Sequence, residues 1–196
     1  MSIPLKSIWR LRRFIAISRS HRIARRYFVV NGFDGALTML GLLMGFYFSA
    51  DVDLGVAITA CLGAAIALSM SGFSSAYLSE AAERRREFRK LQSAMVSDLS
   101  GSAHHVASRW VPFLIALVNG FSPLLISLSI VFPLWLARQG ITLPLAPLES
   151  ALCVTFTLIF FLGVFLGKVS GVFWLYSGLQ ALVVAACASG LIYFVA

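Results

Sequence analysis

Residues 28–49 read FVVNGFDGALTMLGLLMGFYFS, and one carboxylate, Asp34, stands inside this otherwise apolar stretch. An ionisable group at the centre of a lone helix in lipid costs at least about 2.5–3.5 kcal/mol, so it normally faces protein, water or a ligand. Oxygen donors suit divalent cations such as Mn2+ and Fe2+, and a carboxylate can carry a proton instead. On a helix, Asn31, Asp34, Thr38, Gly41 and Gly45 follow i, i+3, i+7, i+10, i+14, so one stripe is polar or small while the rest is large and apolar. Small residues at that spacing permit close helix approach, and the polar ones can line a path. Two readings stay open for Asp34: ion binding, or a hydrogen bond to a neighbouring helix or to an interfacial arginine such as Arg26.

A second set lies where the next apolar run ends, in 69-SMSGFSSAYLSEAAERRRE-87. Glu80, Glu83 and Glu87 follow i, i+3, i+7 and form one acidic stripe. With Asp34, the carboxylates of Glu80 and Glu83 offer oxygen ligands for a divalent metal, and Met70 offers a softer thioether. The alternatives are an i,i+4 pair between Glu80 and Arg84 on a solvated helix, and simple packing for Met70. His104 and His105 point about 100° apart on a helix, which disfavours a shared metal. Asp51 and Asp53 read as caps of a turn. Cys61, Cys153 and Cys187 lie in apolar stretches without disulfide or metal spacing and are expected to be small core residues. No nucleophile–base arrangement, P-loop or zincin motif is present, so no enzymatic activity and no tightly bound cofactor are predicted.

These residues need elements to hold them. Of 196 residues, 59% are hydrophobic and 12% charged, and the mean hydropathy is +0.88; soluble domains run near 45–50% and about 25%. This composition predicts an all-α integral membrane protein. Five apolar runs, roughly 28–49, 54–78, 110–137, 149–167 and 172–195, are each long enough for a transmembrane helix. They are continuous rather than alternating, which excludes a sheet barrel. Residues 27–196 thus form one five-helix transmembrane domain with a short helical segment, 79–109, in the cytoplasm. Span two is expected to run on into that segment. Span three, with Pro112, Pro123 and Pro133, is expected to be kinked or broken.

Charge orients the domain. Fourteen of the 16 basic residues lie before residue 27 or in 79–109, which places both segments and the N-terminus in the cytoplasm. The net charge of +8 therefore reflects membrane topology and not nucleic acid. Residues 1–26 form a basic arm, read either as a helix lying on anionic lipid or as a solvated tail. Its apolar run Phe14–Ile17 is too short for a signal peptide. Trp110, Trp135, Trp174 and Tyr193 stand near span ends, as interfacial anchors do.

The stretch 25-RRYFVVNGFDGALTMLGLLMG-45 resembles the first span of the vacuolar iron transporter family, the Fe2+/Mn2+ transporters of plant and yeast vacuoles and their small prokaryotic relatives. The stretch 67-ALSMSGFSSAYLSEAAERRRE-87 is similar to that family's second span, and 163-GVFLGKVSGVFWLYSGLQALVVAACASGLIYFVA-196 to its closing pair of spans. The resemblance implies a homodimer that moves Fe2+ or Mn2+ out of the cytoplasm in exchange for protons, along a path between protomers. Asp34 would be the functional aspartate of span one, in the inner membrane of a bacterial or archaeal cell. The family's cytoplasmic metal-collecting domain has no room here. Its absence and the arginine-rich segment after span two favour another reading, a non-transporting scaffold or accessory subunit of a larger membrane complex.

Overall fold

A computed structural model describes residues 20–49, 52–95 and 103–195; side chains are described from residue 24 in the first segment and from residue 108 in the third. Five helices account for nearly all of them: α1 (Ser20–Phe48), α2 (Leu54–Met95), α3 (Ala103–Arg138), α4 (Pro147–Ser170) and α5 (Trp174–Val195). Each is long and apolar enough to cross a membrane, which is the expected all-helical class.

The helices begin and end for local reasons. Asp53 caps α2: its Oδ1 accepts from the Gly55 N–H at 2.7 Å and the Val56 N–H at 3.2 Å, satisfying two donors that the first turn leaves free. Asp51 lies outside the described residues. At the far end of α3, Gly140 takes φ +82°, a left-handed conformation that glycine adopts without a Cβ penalty. The Ile141 N–H then closes back on Leu136 O at 3.2 Å. Gly171, at φ +74°, ends α4 in the same way, with the Val172 N–H on Gly167 O at 3.0 Å.

Three expectations are refined. Helix α1 is already formed at Ser20, the first described residue, so the end of the basic arm is helical. Helix α2 is unbroken for 42 residues, carrying the apolar run directly into the charged segment. Helix α3 is unbroken across its three prolines. Each proline lacks a backbone donor, yet the helix runs on through all three positions.

The described residues pack as two units. The first joins the chain up to Phe28 with Met70–Gly120; the second joins Val29–Ser69 with Phe121–Ala196. The second holds the main core. Met39, Leu40 and Leu43 of α1 meet Ile58, Cys61 and Ala65 of α2, Ile126, Ile130 and Leu134 of α3, Ile159 of α4, and Ala181 and Ala185 of α5. In α2, α3 and α5 these residues recur at three- or four-residue steps, and in α1 Met39 and Leu40 share a turn with Leu43 one turn on, so each gives one stripe to the interior. Small residues set the closest approaches. A Cβ on Gly163 would fall 2.7 Å from both Ser177 O and Ala181 Cβ, and one on Gly35 would fall 2.9 Å from Pro123 Cα. Cys61 is buried, as expected of a small core residue. Cys153 and Cys187 are exposed instead, because they lie on the outward faces of α4 and α5.

In the first unit, Val111, Ile115 and Ala116 of α3 are buried, as are Gly72 and Ala76 of α2. Phe73 stands edge-on to Phe113, with ring centroids 6.0 Å apart. A buried polar bond ties the two helices together: Asn119 Nδ2 donates to Gly72 O at 2.6 Å.

Candidate functional site

In the second unit, Asp34 is exposed. Its side chain therefore points away from the core that Ala36, Met39 and Leu40 build on the other side of α1. Thr38 Oγ1 donates to the Asp34 backbone carbonyl at 2.7 Å, the usual way a helical threonine hydroxyl is satisfied. The Asp34 carboxylate has no hydrogen-bond or ion-pair partner among the described residues. About two and three turns beyond Asp34, a Cβ added at Gly41 or Gly45 would meet no heavy atom within 4 Å. The stripe 34, 38, 41 and 45 is thus open along its length. The glycines that carry close packing are Gly32 and Gly35, on the neighbouring face, against Ser122, Leu162 and Pro123.

The remaining expected ligands belong to the first unit. Met70 is 58% exposed and Glu83 is exposed. Glu80 is half-buried, and Tyr27 Oη donates to its Oε1 at 3.5 Å, a long contact that contributes little by itself. Arg84 does not reach back to Glu80; Nη1 pairs forward with Glu87 Oε2 at 3.2 Å. Glu80 is turned toward Tyr27, which leaves Glu87 as the carboxylate within reach of Arg84. On one continuous helix Met70 and Glu80 are ten residues, or about 15 Å, apart along the axis, too far to share an ion. Glu80 and Glu83 are one turn apart and can approach each other. Among the described residues, no three His, Cys, Asp or Glu side chains stand together as a metal site. The side chains of His104 and His105 lie outside the described residues.

Sequence reasoning missed two polar features. Ser127, fully buried on α3 in the second unit, has no hydrogen-bond partner for its Oγ among the described residues. Thr155, equally buried on α4, satisfies its hydroxyl on Ala151 O at 2.8 Å. Serine and threonine in an apolar run carry no signal that separates a satisfied hydroxyl from an orphaned one. The second feature is a face of α2 on which Arg85, Arg86, Arg89 and Lys90 stand exposed beside Ala82. Counting basic residues showed their number but not that one face collects them.

No family model matches the chain, and no solved structure matches it. It is 30% identical over 148 residues to the uncharacterized protein MJ0645 of the archaeon Methanocaldococcus jannaschii, a match that covers 74% of each chain.

Proposed function

The chain belongs to one family with that uncharacterized archaeal protein, and from this premise we propose that it is a multi-pass membrane protein exporting a divalent cation, Fe2+ or Mn2+, from the cytoplasm as a homodimer in exchange for protons. The reading also draws on the resemblance of the first two spans and the closing pair to the vacuolar iron transporters. It assigns no enzymatic chemistry to the chain. The outward faces favour a membrane setting: Tyr193, Phe194 and Val195 are 69%, 89% and 86% exposed, a surface suited to lipid. The basic residues Arg25, Arg26, Arg84, Arg85, Arg86, Arg89, Lys90 and Arg109 support a cytoplasmic N-terminus, and the reading adds the cell membrane of a bacterium or archaeon, with the basic arm against anionic lipid.

The carrying observation is Asp34, an exposed and unpartnered carboxylate within an apolar helix. Facing lipid, it would cost at least about 2.5–3.5 kcal/mol. Facing its own copy across a two-fold axis, it becomes half of a paired site, and the open Gly41 and Gly45 let the second α1 approach closely. Two carboxylates are neutralised equally by one divalent cation or by two protons. That equivalence is the elementary requirement for exchange without net charge movement. Within one chain the described residues assemble no metal site, so the reading needs the second copy to complete it. Glu80, half-buried beside Tyr27, and Glu83 stand at the cytoplasmic end as an approach for the ion.

The test is metal uptake into inside-out vesicles. Asp34→Ala is expected to abolish uptake while leaving a dimer; Gly41→Leu, whose Cβ has nothing within 4 Å in its own protomer, is expected to break the dimer. Undiminished uptake by Asp34→Ala sinks the proposal. The accessory-subunit reading keeps one specific observation in its favour, the cationic face of α2.

A further inference from the structure

On α2 the residues Arg85, Arg86, Arg89 and Lys90 follow i, i+1, i+4, i+5, so at about 100° per residue they cover one face roughly 140° wide. All four are exposed and line one shallow groove with Ala82. The carboxylates of the same segment do not serve this face. Glu80 and Glu87 project from another side of the helix, where Glu87 is held by Arg84; Glu83 borders the face beside Lys90, but none of the four cations is ion-paired among the described residues. Two like-charge pairs, Arg85–Arg89 and Arg86–Lys90, remain at i,i+4, a spacing at which repulsion destabilises a helix. Positive-inside topology needs cations near the membrane, but it does not need four of them gathered on one face without ion pairs.

The position of the face narrows its partner. If residues 54–78 span the bilayer, Arg85 and Lys90 stand about 46 and 54 Å along the axis from Leu54, against about 40–45 Å for a bilayer with its headgroups. The face therefore stands in the aqueous layer past the lipid phosphates. Phe88, the aromatic residue within this segment, is half-buried and falls about 60° outside the arc of the cations, so the face lacks the stacking platform that single-stranded nucleic acid uses. Two parallel columns of cations, each with one helical turn between its members, match carboxylates spaced i,i+4 on an opposing helix.

We propose that the Arg85–Arg86–Arg89–Lys90 face docks an acidic helical segment of a cytoplasmic partner protein. The inference rests on residues 54–78 spanning the membrane and not on metal transport.

The test uses the full chain in nanodiscs of phosphatidylcholine, where both faces are accessible whichever side is cytoplasmic. Two labelled peptides of identical composition serve as probes, one with glutamates at i,i+4 on a single helical face and one with the same residues scrambled. The patterned peptide is expected to bind at least about tenfold more tightly than the scrambled one, and Arg85→Glu/Arg89→Glu is expected to remove that advantage. Lys168→Glu, a charge change of the same sign on another helix, is expected to leave it intact. Should the double charge reversal fail to fold, Arg86→Gln/Lys90→Gln is expected to weaken patterned binding in the same direction. Equal binding of the two peptides overturns the proposal, as does binding indifferent to these substitutions. Tighter binding of an oligothymidylate, lost in the same variants, overturns it in favour of nucleic acid. Loss of peptide binding when phosphatidylglycerol is added to the disc overturns it in favour of lipid.

Discussion

Replacing Gly163 by alanine tests whether α4 and α5 are held by backbone contact. The added Cβ falls 2.7 Å from Ser177 O, 2.7 Å from Ala181 Cβ and 3.0 Å from Gly178 Cα. Favourable carbon contacts sit near 3.5–4.0 Å, so the two helices must part by about 0.7–1 Å. Two of the three obstructing atoms are backbone and cannot swing aside, which places the cost near the upper part of the 1–3 kcal/mol range for overpacking, at about 2–3 kcal/mol. Alanine returns about 0.8–1.0 kcal/mol of helix propensity, leaving a net loss of about 1–2 kcal/mol. Gly190 on α5 is the control, because nothing lies within 4 Å of its Cβ; there alanine keeps its propensity gain and loses nothing. At about 2–4 °C per kcal/mol for a chain of this size, Gly163→Ala lowers Tm by about 2–8 °C and Gly190→Ala raises it by about 2–4 °C. The fully buried Cys61 supplies the readout: in a Cys153→Ser/Cys187→Ser background a thiol-reactive dye labels it only as the core opens. If Gly163→Ala melts at or above the parent temperature, the close α4–α5 contact is wrong.

Two further substitutions probe buried polar groups. Ser127→Ala removes a hydroxyl that has no partner among the described residues, and is expected to raise Tm by about 2–4 °C, whereas Thr155→Val, which deletes a hydroxyl bonded to Ala151 O, is expected to lower it; a fall in both would mean that Ser127 is partnered. Asn119→Leu removes the bond from Asn119 Nδ2 to Gly72 O at 2.6 Å, an oxygen that also accepts from Ser75 Oγ at 3.3 Å, and is expected to cost about 0.5–1.5 kcal/mol, seen as a Tm drop of about 1–6 °C. An unchanged Tm there would remove the polar tie between α2 and α3.

What the chain determines by itself is local. Runs of 20 or more apolar residues select helices because a helix satisfies its own backbone, and that choice needs no neighbour; the helical class, the run of α2 into its charged end and the Asp53 cap were legible for this reason. The oddity of Asp34 was legible too, since a carboxylate among apolar residues stands out in one dimension. Only tertiary structure decides which stripe of a helix faces which neighbour. The stripe of Asp34, Thr38, Gly41 and Gly45 looked like a packing face, yet Gly32 and Gly35 carry the contacts inside the protomer, because Pro123 and Leu162 lie on that side. In the same way Cys61 is core while Cys153 and Cys187 are not, and Arg84 holds Glu87 rather than Glu80. Side chains three and four residues apart are equally near on a helix, so the choice between them falls to whatever the tertiary fold brings alongside.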